Sequence, residues 1–368
     1  MPSQLSKARL LGSLLRGENT RQGPIFLNLD LVNRCNNACL GCYYYRSGAF
    51  EPGHGGDELP FDLAARLARE LRDLGVSEVA MAGQGEPLLH TRFFDVMCAF
   101  KQAGLRPQVF TNGILLDERM VRRIASSGIS VLRASVWAIT EAEHERWHPG
   151  IDVRILGKRL AGIRALARTC RDTAGAPELC LQLPINRENL SMLDRRIDFA
   201  IESGVTAVSF GYYRAFGSPL EYLALGPDDW PTVSAAFKPA LARLKAAGIR
   251  HDADVFLDRV RLGLATLGVP CYAPWYACSI RVNGDVLVCP RCPEPMGNLH
   301  ASSMADIWRG ARYREFRRQA MRQSPAAGGC QNCECVNCCW GRDNLKVHRI
   351  FRWFAPVTRW RAGRAPAK

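Results

Sequence analysis

Between residues 24 and 211, short β-branched runs alternate with stretches of helical period, and no other feature limits the fold of this 368-residue chain as strongly. Residues 25–31, 78–82, 108–110, 130–136, 178–183 and 207–211 read as strands. Residues 61–74, 92–103, 117–126, 153–169 and 190–202 read as the helices between them. Turn signals punctuate the series at Leu74-Gly75, Thr111-Asn112-Gly113, Ser127-Gly128 and Ser203-Gly204. Strands that alternate singly with helices build βαβ units and a parallel sheet, so the expected fold class is α/β. Such sheets carry their sites just beyond the C-terminal ends of the strands. The residues that follow each strand are therefore where chemistry is expected.

The rest of the chain divides around this block. Residues 1–23 read as a basic helical segment, and 212–268 as a helical connection containing Pro219, Pro227 and Pro231. From Pro270 the periodicity weakens while cysteine, glycine and proline rise. A cysteine-rich domain is expected over 269–340, with a hairpin turning at Asn283-Gly284 and a helix over 304–321. The segment 341–368 holds eight Lys or Arg against one Asp, a net +7, which is half of the chain's +14. It reads as a solvated basic tail, or as a surface for an anionic partner such as a membrane, given the interleaved Trp353, Phe354 and Trp360. No run approaches the roughly 20 apolar residues that span a bilayer, and no signal-peptide core is seen. A cytoplasmic protein, peripheral at a membrane at most, is the expectation.

Fifteen cysteines are many for such a compartment, where clustered thiols are metal ligands more often than disulfides. Cys98, Cys170 and Cys180 are scattered and read as inert core thiols. Nine cysteines fall between Cys271 and Cys339. Three stand at Cys35-x3-Cys39-x2-Cys42, in the loop after the first strand. Three thiolates do not complete a tetrahedral zinc site, and no histidine is near enough to be an obvious fourth ligand. On a cubane iron–sulfur cluster, three thiolates leave one iron open, which catalysis at a metal requires. A zinc loop or incidental thiols are the bland alternative.

The spacing, the strand before it and the repeats after it resemble the radical S-adenosylmethionine superfamily over residues 24–211. The resemblance implies a partial (β/α)6 TIM-like barrel and a [4Fe–4S] cluster with an open iron on Cys35, Cys39 and Cys42. It implies S-adenosylmethionine as second cofactor, cleaved reductively to a 5′-deoxyadenosyl radical that abstracts hydrogen from substrate. Gly83-Gln84-Gly85-Glu86-Pro87 is similar to the family's Gly-Gly-Glu-Pro element, which receives the methionine amino group, with Gln84 in place of a glycine. Gly85, Glu86 and Pro87 are thus implied cofactor residues. Asn112 after the third strand and Ser135 at the end of the fourth resemble positions near the cofactor's ribose and carboxylate. Two positions depart from the pattern. Gly41 stands where the family has an aromatic residue near the adenine, which makes Tyr43 the substitute we expect to cover it. Val136-Trp137-Ala138 stands where many peptide-modifying members have Leu-Asp-Gly.

The later cysteines resemble the SPASM extension or its shorter twitch form. Cys271-x12-Gly284-x4-Cys289 fits the first half, and Cys330-x2-Cys333-x5-Cys339 fits the start of the second. One or two auxiliary [4Fe–4S] clusters follow, with Cys271, Cys278, Cys289, Cys330, Cys333 and Cys339 as candidate ligands. Cys292, Cys335 and Cys338 are extras, and a zinc knuckle is the alternative. A flavodoxin- or ferredoxin-type reductant is implied as partner. Ala134-Ser135-Val136-Trp137-Ala138, Pro274-Trp275 and the short extension look like members acting on sugars and small metabolites. The leading expectation is therefore oxidation or epimerisation of a sugar-like or natural-product substrate, with the catalytic residues unassigned. The alternatives are a SPASM-type maturase acting on a ribosomal precursor peptide or a sulfatase, and an iron–sulfur electron carrier without catalysis. No leader-binding module is recognisable, though a partner could supply one. The core shows no nucleic-acid recognition module, so nucleic acid is not an expected partner.

Overall fold

The computed structural model describes residues 4–46, 57–213, 219–263, 269–322 and 341–351. Two compact units emerge. One comprises Met1–Asn28, Arg66–Glu78 and Leu264–Lys368, and the other Leu29–Ala65 and Val79–Gly263. These units are assembled from separated stretches of the chain.

All six expected strands are present: β1 (Phe26–Leu29), β2 (Glu78–Met81), β3 (Arg106–Thr111), β4 (Val131–Ser135), β5 (Glu178–Ile185) and β6 (Ala207–Tyr212). A two-residue β7 (Arg250–His251) was not anticipated, because so short a strand leaves no periodic signal. In the larger unit the order is β2-β3-β4-β5-β6-β7, and the pairs from β3 to β7 are parallel. Strands buried on both faces read as continuous apolar runs, and β5 follows this with only Glu178 and Gln182 less than fully buried. The helix Arg154–Asp172 buries Leu156, Ile163, Leu166 and Ala167. Helix starts are set by side chains: Asp117 Oδ1 accepts from Met120 N at 2.7 Å, and Thr140 Oγ1 from Glu143 N at 3.3 Å. Each such cap is worth about 1 kcal/mol. The second of these opens the helix Glu141–Trp147, a short element the sequence reading passed over. The expected helical connection over 212–268 contains the helices Trp230–Ala246 and Ala253–Leu262, with β7 between them.

In the smaller unit the order β10-β9-β8 continues to β1, and β9 (Asp285–Leu287) runs antiparallel to both β8 (Ala277–Ile280) and β10 (Gly297–Asn298). The expected hairpin is found: Ser279 faces Leu287 and Ile280 faces Val286. Gly284 takes φ +83°, a conformation that favours glycine. The expected helix over 304–321 is broken into Met304–Arg309 and Ala311–Arg322 at Gly310.

Two expectations are corrected. Cys98 is exposed, because the helix Phe93–Gln102 turns Val96, Met97 and Phe100 inward instead; Cys180 is buried as expected. The start of the supposed solvated tail is a helix, Gly341–Phe351, in which Asn344 and Phe351 are buried. Residues 352–368, with Trp353, Phe354 and Trp360, lie outside the described residues. No helix among the described residues is long and apolar enough to cross a membrane.

Candidate metal and cofactor site

The loop after β1 is tied down before its first cysteine. Leu59 N donates to Leu31 O at 2.9 Å, and Glu86 N to Arg34 O at 2.9 Å. Arg34 Nη2 donates to Glu58 Oε2 at 2.6 Å and to Leu89 O at 2.9 Å. Glu58 Oε2 also accepts from Thr91 N at 3.1 Å. The Arg34 backbone therefore lies against the loop after β2. Gly85 is required there for space: a Cβ at that position would stand 2.3 Å from Arg34 O and 2.7 Å from Val32 O.

Beyond Arg34 the loop carries the three thiols, none in a disulfide. Asn37 Nδ2 donates to Cys39 Sγ at 3.3 Å, and Asn112 Nδ2 lies 3.6 Å from Cys35 Sγ. Cys42 N donates to Cys39 O at 2.9 Å, while Leu40 N donates to Trp147 O at 2.9 Å, which pins the loop to the end of the helix Glu141–Trp147. Burial pushes the Cys35 thiol up to about 12, aided by the nearby Glu86 carboxylate. Cys39 is raised well above its ordinary value by burial and then by its neighbours Cys42 and Cys35. Thiols so placed ionise only when a cation arrives, as metal binding requires. Among the described residues no three His, Cys, Asp or Glu are close enough to hold a single ion. Thiolates that bind separate irons of one cubane stand further apart than the ligands of one ion. Three thiols close enough to act on one another's charge are the donor set that cubane iron–sulfur clusters take.

Glu86, Asn112 and Ser135 stand at neighbouring strand ends, as the sequence suggested. Glu86 is buried; its Oε2 accepts from Asn112 N at 2.7 Å and its Oε1 from Leu88 N at 3.3 Å. Burial raises its carboxyl to about 7 against these hydrogen bonds. The carboxylate is thus a strut between the ends of β2 and β3 as well as a candidate acceptor. Pro87 opens the one-turn helix Pro87–Leu89 and is buried. Asn112 Nδ2 donates to Asn36 Oδ1 at 2.8 Å, and its own Oδ1 accepts from Ile114 N at 2.9 Å. Ser135 ends β4, half-buried and opposite Gln182. Tyr43 begins the short helix Tyr43–Arg46, with its ring edge-on to Tyr44 at 5.4 Å.

Two residues here were not singled out from the sequence as site residues. Arg159, on the helix Arg154–Asp172, is 1 % exposed, and its Nε and Nη2 have no hydrogen-bond partner among the described residues. Its Nη1 donates to His148 Nε2 at 3.2 Å, and its charge acts on the Cys39 thiol. Burial, and then the charges of Arg159 and His144, pushes His148 down to about 3, so it accepts that bond as neutral imidazole. The signal was present: Arg159 stands in register with Leu156 and Ile163 on the buried stripe, where an arginine needs an anionic partner. His148 follows the short helix that carried no periodic signal of its own.

In the smaller unit Cys271 and Cys289 are half-buried, and Cys292 N donates to Cys289 O at 3.0 Å. Cys278 differs from them. It lies inside β8, 1 % exposed, against the Tyr313 hydroxyl and Arg317, and burial pushes its thiol up to about 12. The Arg317 guanidinium lies over both the Trp308 and Tyr313 rings, 4.5 Å from each centroid. Cys330, Cys333 and Cys339 lie outside the described residues.

Known proteins share this plan. The model of the radical SAM superfamily matches residues 29–173, and that of the SPASM iron–sulfur cluster-binding domain matches residues 271–334. The chain is 24 % identical to the PqqA peptide cyclase of Granulibacter bethesdensis over 88 % of its own length and 83 % of that protein's. It is also 24 % identical to the AdoMet-dependent heme synthase of Methanosarcina barkeri, over 86 % of its length and 90 % of the relative's. The crystal structure of Streptococcus suis SuiB bound to precursor peptide SuiA superposes with TM-score 0.66 at 16 % identity, covering 90 % of this chain and 76 % of that one. The cofactors are accordingly a [4Fe–4S] cluster, S-adenosylmethionine and auxiliary iron–sulfur clusters. A thiol loop after β1, a parallel α/β sheet behind it and a cysteine-rich extension make one continuous case: this chain belongs to the radical SAM superfamily and carries a SPASM domain.

Proposed function

We propose that this radical SAM enzyme modifies a peptide, with Cys35, Cys39 and Cys42 holding the catalytic cluster. The observation that carries the substrate reading is the likeness, over most of both chains, to a PqqA peptide cyclase. The fold shared with SuiB, whose structure contains a precursor peptide, supports it. These likenesses favour the maturase alternative over the sugar-like substrate expected from the Val136-Trp137-Ala138 departure.

When bound, the cluster and S-adenosylmethionine supply a carbon-centred radical able to take hydrogen from an unactivated carbon. The chain's own residues bind and orient. Glu86 offers a buried carboxylate that accepts from the neutral backbone N–H groups of Asn112 and Leu88, so an ammonium group would favour its charged form at neutral pH. Arg159 offers two unpaired donors beside Cys39, suited to a carboxylate. Asn37 and Asn112 direct N–H groups at Cys39 and Cys35, which eases negative charge on sulfur. Cys271 and Cys289, with Cys330, Cys333 and Cys339, are the proposed auxiliary ligands.

The test is anaerobic reconstitution, reduction and addition of S-adenosylmethionine together with short peptides encoded beside the gene. Formation of 5′-deoxyadenosine and a hydrogen-deficient peptide by mass spectrometry is the expected result. Peptide left unchanged while an aminosugar is oxidised would overturn the substrate reading.

A further inference from the structure

We propose that Trp137 is the aromatic seat for the adenine of S-adenosylmethionine, filling the space that a side chain at position 41 would otherwise take. The inference rests on the use of that cofactor and not on the peptide reading.

Gly41 lies between Cys39 and Cys42. A Cβ built there would stand 2.2 Å from Trp137 Cη2 and 2.5 Å from Cζ3. The benzo edge of the indole therefore occupies the volume of the missing side chain. Trp137 comes from a different part of the sequence, two residues past Ser135 at the end of β4. Its ring is held from behind: Trp147 packs on it at 5.2 Å between centroids and 32°, and Tyr213 meets it edge-on at 6.2 Å. Trp147 and Tyr213 are 1 % and 3 % exposed, whereas Trp137 is only half-buried. Its backbone is fixed as well, because the buried Arg196 donates to Trp137 O at 3.1 Å and to Val136 O at 3.3 Å. The result is a rigid aromatic ring, packed on one side and still partly accessible, touching the loop between two of the three thiols.

The cofactor's own covalent structure gives that ring its use. A cluster held by Cys35, Cys39 and Cys42 would keep the methionine end of the cofactor beside this loop. The adenine is then tethered one ribose away from the thiol loop. A purine is best seated on an aromatic face, and base–aromatic stacking contributes roughly 1–3 kcal/mol. Trp137 is the ring that the structure places in the side-chain space of Gly41, between Cys39 and Cys42. This also accounts for Gly41: any side chain there would collide with the indole.

The experiment measures S-adenosylmethionine binding to the reconstituted holoenzyme by equilibrium dialysis, alongside iron content and the cluster's EPR signal. Trp137→Ala is expected to lose affinity roughly tenfold, which corresponds to about 1.4 kcal/mol, with iron retained. Trp137→Phe should recover most of it. Methionine, which has no purine, should bind equally to wild type and variant. Gly41→Ala should weaken binding in the wild-type background but not in Trp137→Ala, where the collision is gone. Wild-type affinity in an iron-replete Trp137→Ala overturns the proposal, as does an equal loss for methionine. Should Trp137→Ala fail to take up iron, Trp137→Phe is compared with Trp137→Leu: weaker binding by Leu supports the proposal, and equal binding overturns it.

Discussion

The loop of residues 35–42 and the hairpin of β8 and β9 both carry cysteine, but they place it differently. In the loop, Asn37 and Asn112 direct amide N–H groups at two of the thiols, and Arg159 brings a positive charge to one. The surrounding backbone is pinned by hydrogen bonds from Leu40, Cys42 and Glu86. In the hairpin, Cys278 sits within a strand whose four residues are all buried, behind a tyrosine and a stacked arginine. Burial raises the thiol in both settings, and a donor and an arginine face each, Asn37 and Arg159 at Cys39 and Tyr313 and Arg317 at Cys278; what differs is that the first thiols stand in a loop and the second inside a buried strand. Spacing alone does not distinguish them, because both groups read as candidate ligands.

The sharpest way to break this contrast is a pair of substitutions. Cys42→Ala should abolish S-adenosylmethionine cleavage and remove the iron of one cluster. Cys278→Ala should keep both cleavage and iron, and should cost stability of about 1–2 kcal/mol, the usual range for trimming a packed side chain. Iron analysis and 5′-deoxyadenosine yield read both. Loss of iron from Cys278→Ala would keep Cys278 in the ligand set expected from the sequence and end the contrast.

The same contrast explains what the sequence could tell. The strands and helices of the larger unit were legible because their apolar periods run long enough to exceed the noise of turns. β7, with two residues, and the helix Glu141–Trp147, with a mostly polar surface, were not. The thiol triplet was legible because it interrupts that regularity directly after a strand. Gly41 was visible as a missing aromatic, but its counterpart Trp137 lies nearly a hundred residues away, and only folding brings the two together. Arg159 gave a local sign, an arginine in an apolar stripe, whose meaning depends on the neighbouring Cys39 loop. The discontinuous units were hidden for the same reason: nothing local marks Arg66–Glu78 as belonging with Leu264–Lys368.

A smaller effect is expected at Arg159, and it tests whether the charge near the thiol loop serves the cofactor. Arg159→Met keeps most of the side-chain bulk but removes its donors. Hydrogen bonds to a charged group contribute about 1.5–3 kcal/mol, so affinity for S-adenosylmethionine should fall on the order of tenfold to a hundredfold. Iron content should be unchanged. Unaltered affinity would leave Arg159 a purely structural arginine held by His148.

The smallest effect is expected where the sequence reading was corrected. Asn344 belongs to a segment that reads as a solvated basic tail, yet it is 1 % exposed. Its Oδ1 accepts from Tyr272 N and from the Tyr276 hydroxyl, each at 3.0 Å. Tyr272 also packs against Phe351 at 6.0 Å, and its hydroxyl meets His348 Nδ1 at 2.8 Å. The helix Gly341–Phe351 is therefore docked by hydrogen bonds to the chain just ahead of β8. Asn344→Ala would remove the acceptor that Tyr272 N and the Tyr276 hydroxyl share, at a cost of about 1–3 kcal/mol. A cost of that size lowers the thermal midpoint by several degrees, at roughly 2–4 °C per kcal/mol. Cleavage of S-adenosylmethionine by the folded protein should be unaffected, because the thiol loop, Glu86 and Arg159 make none of these bonds. A midpoint equal to wild type would return this helix to the status of a loosely held tail, and with it the reading of the hairpin side as a unit built by packing.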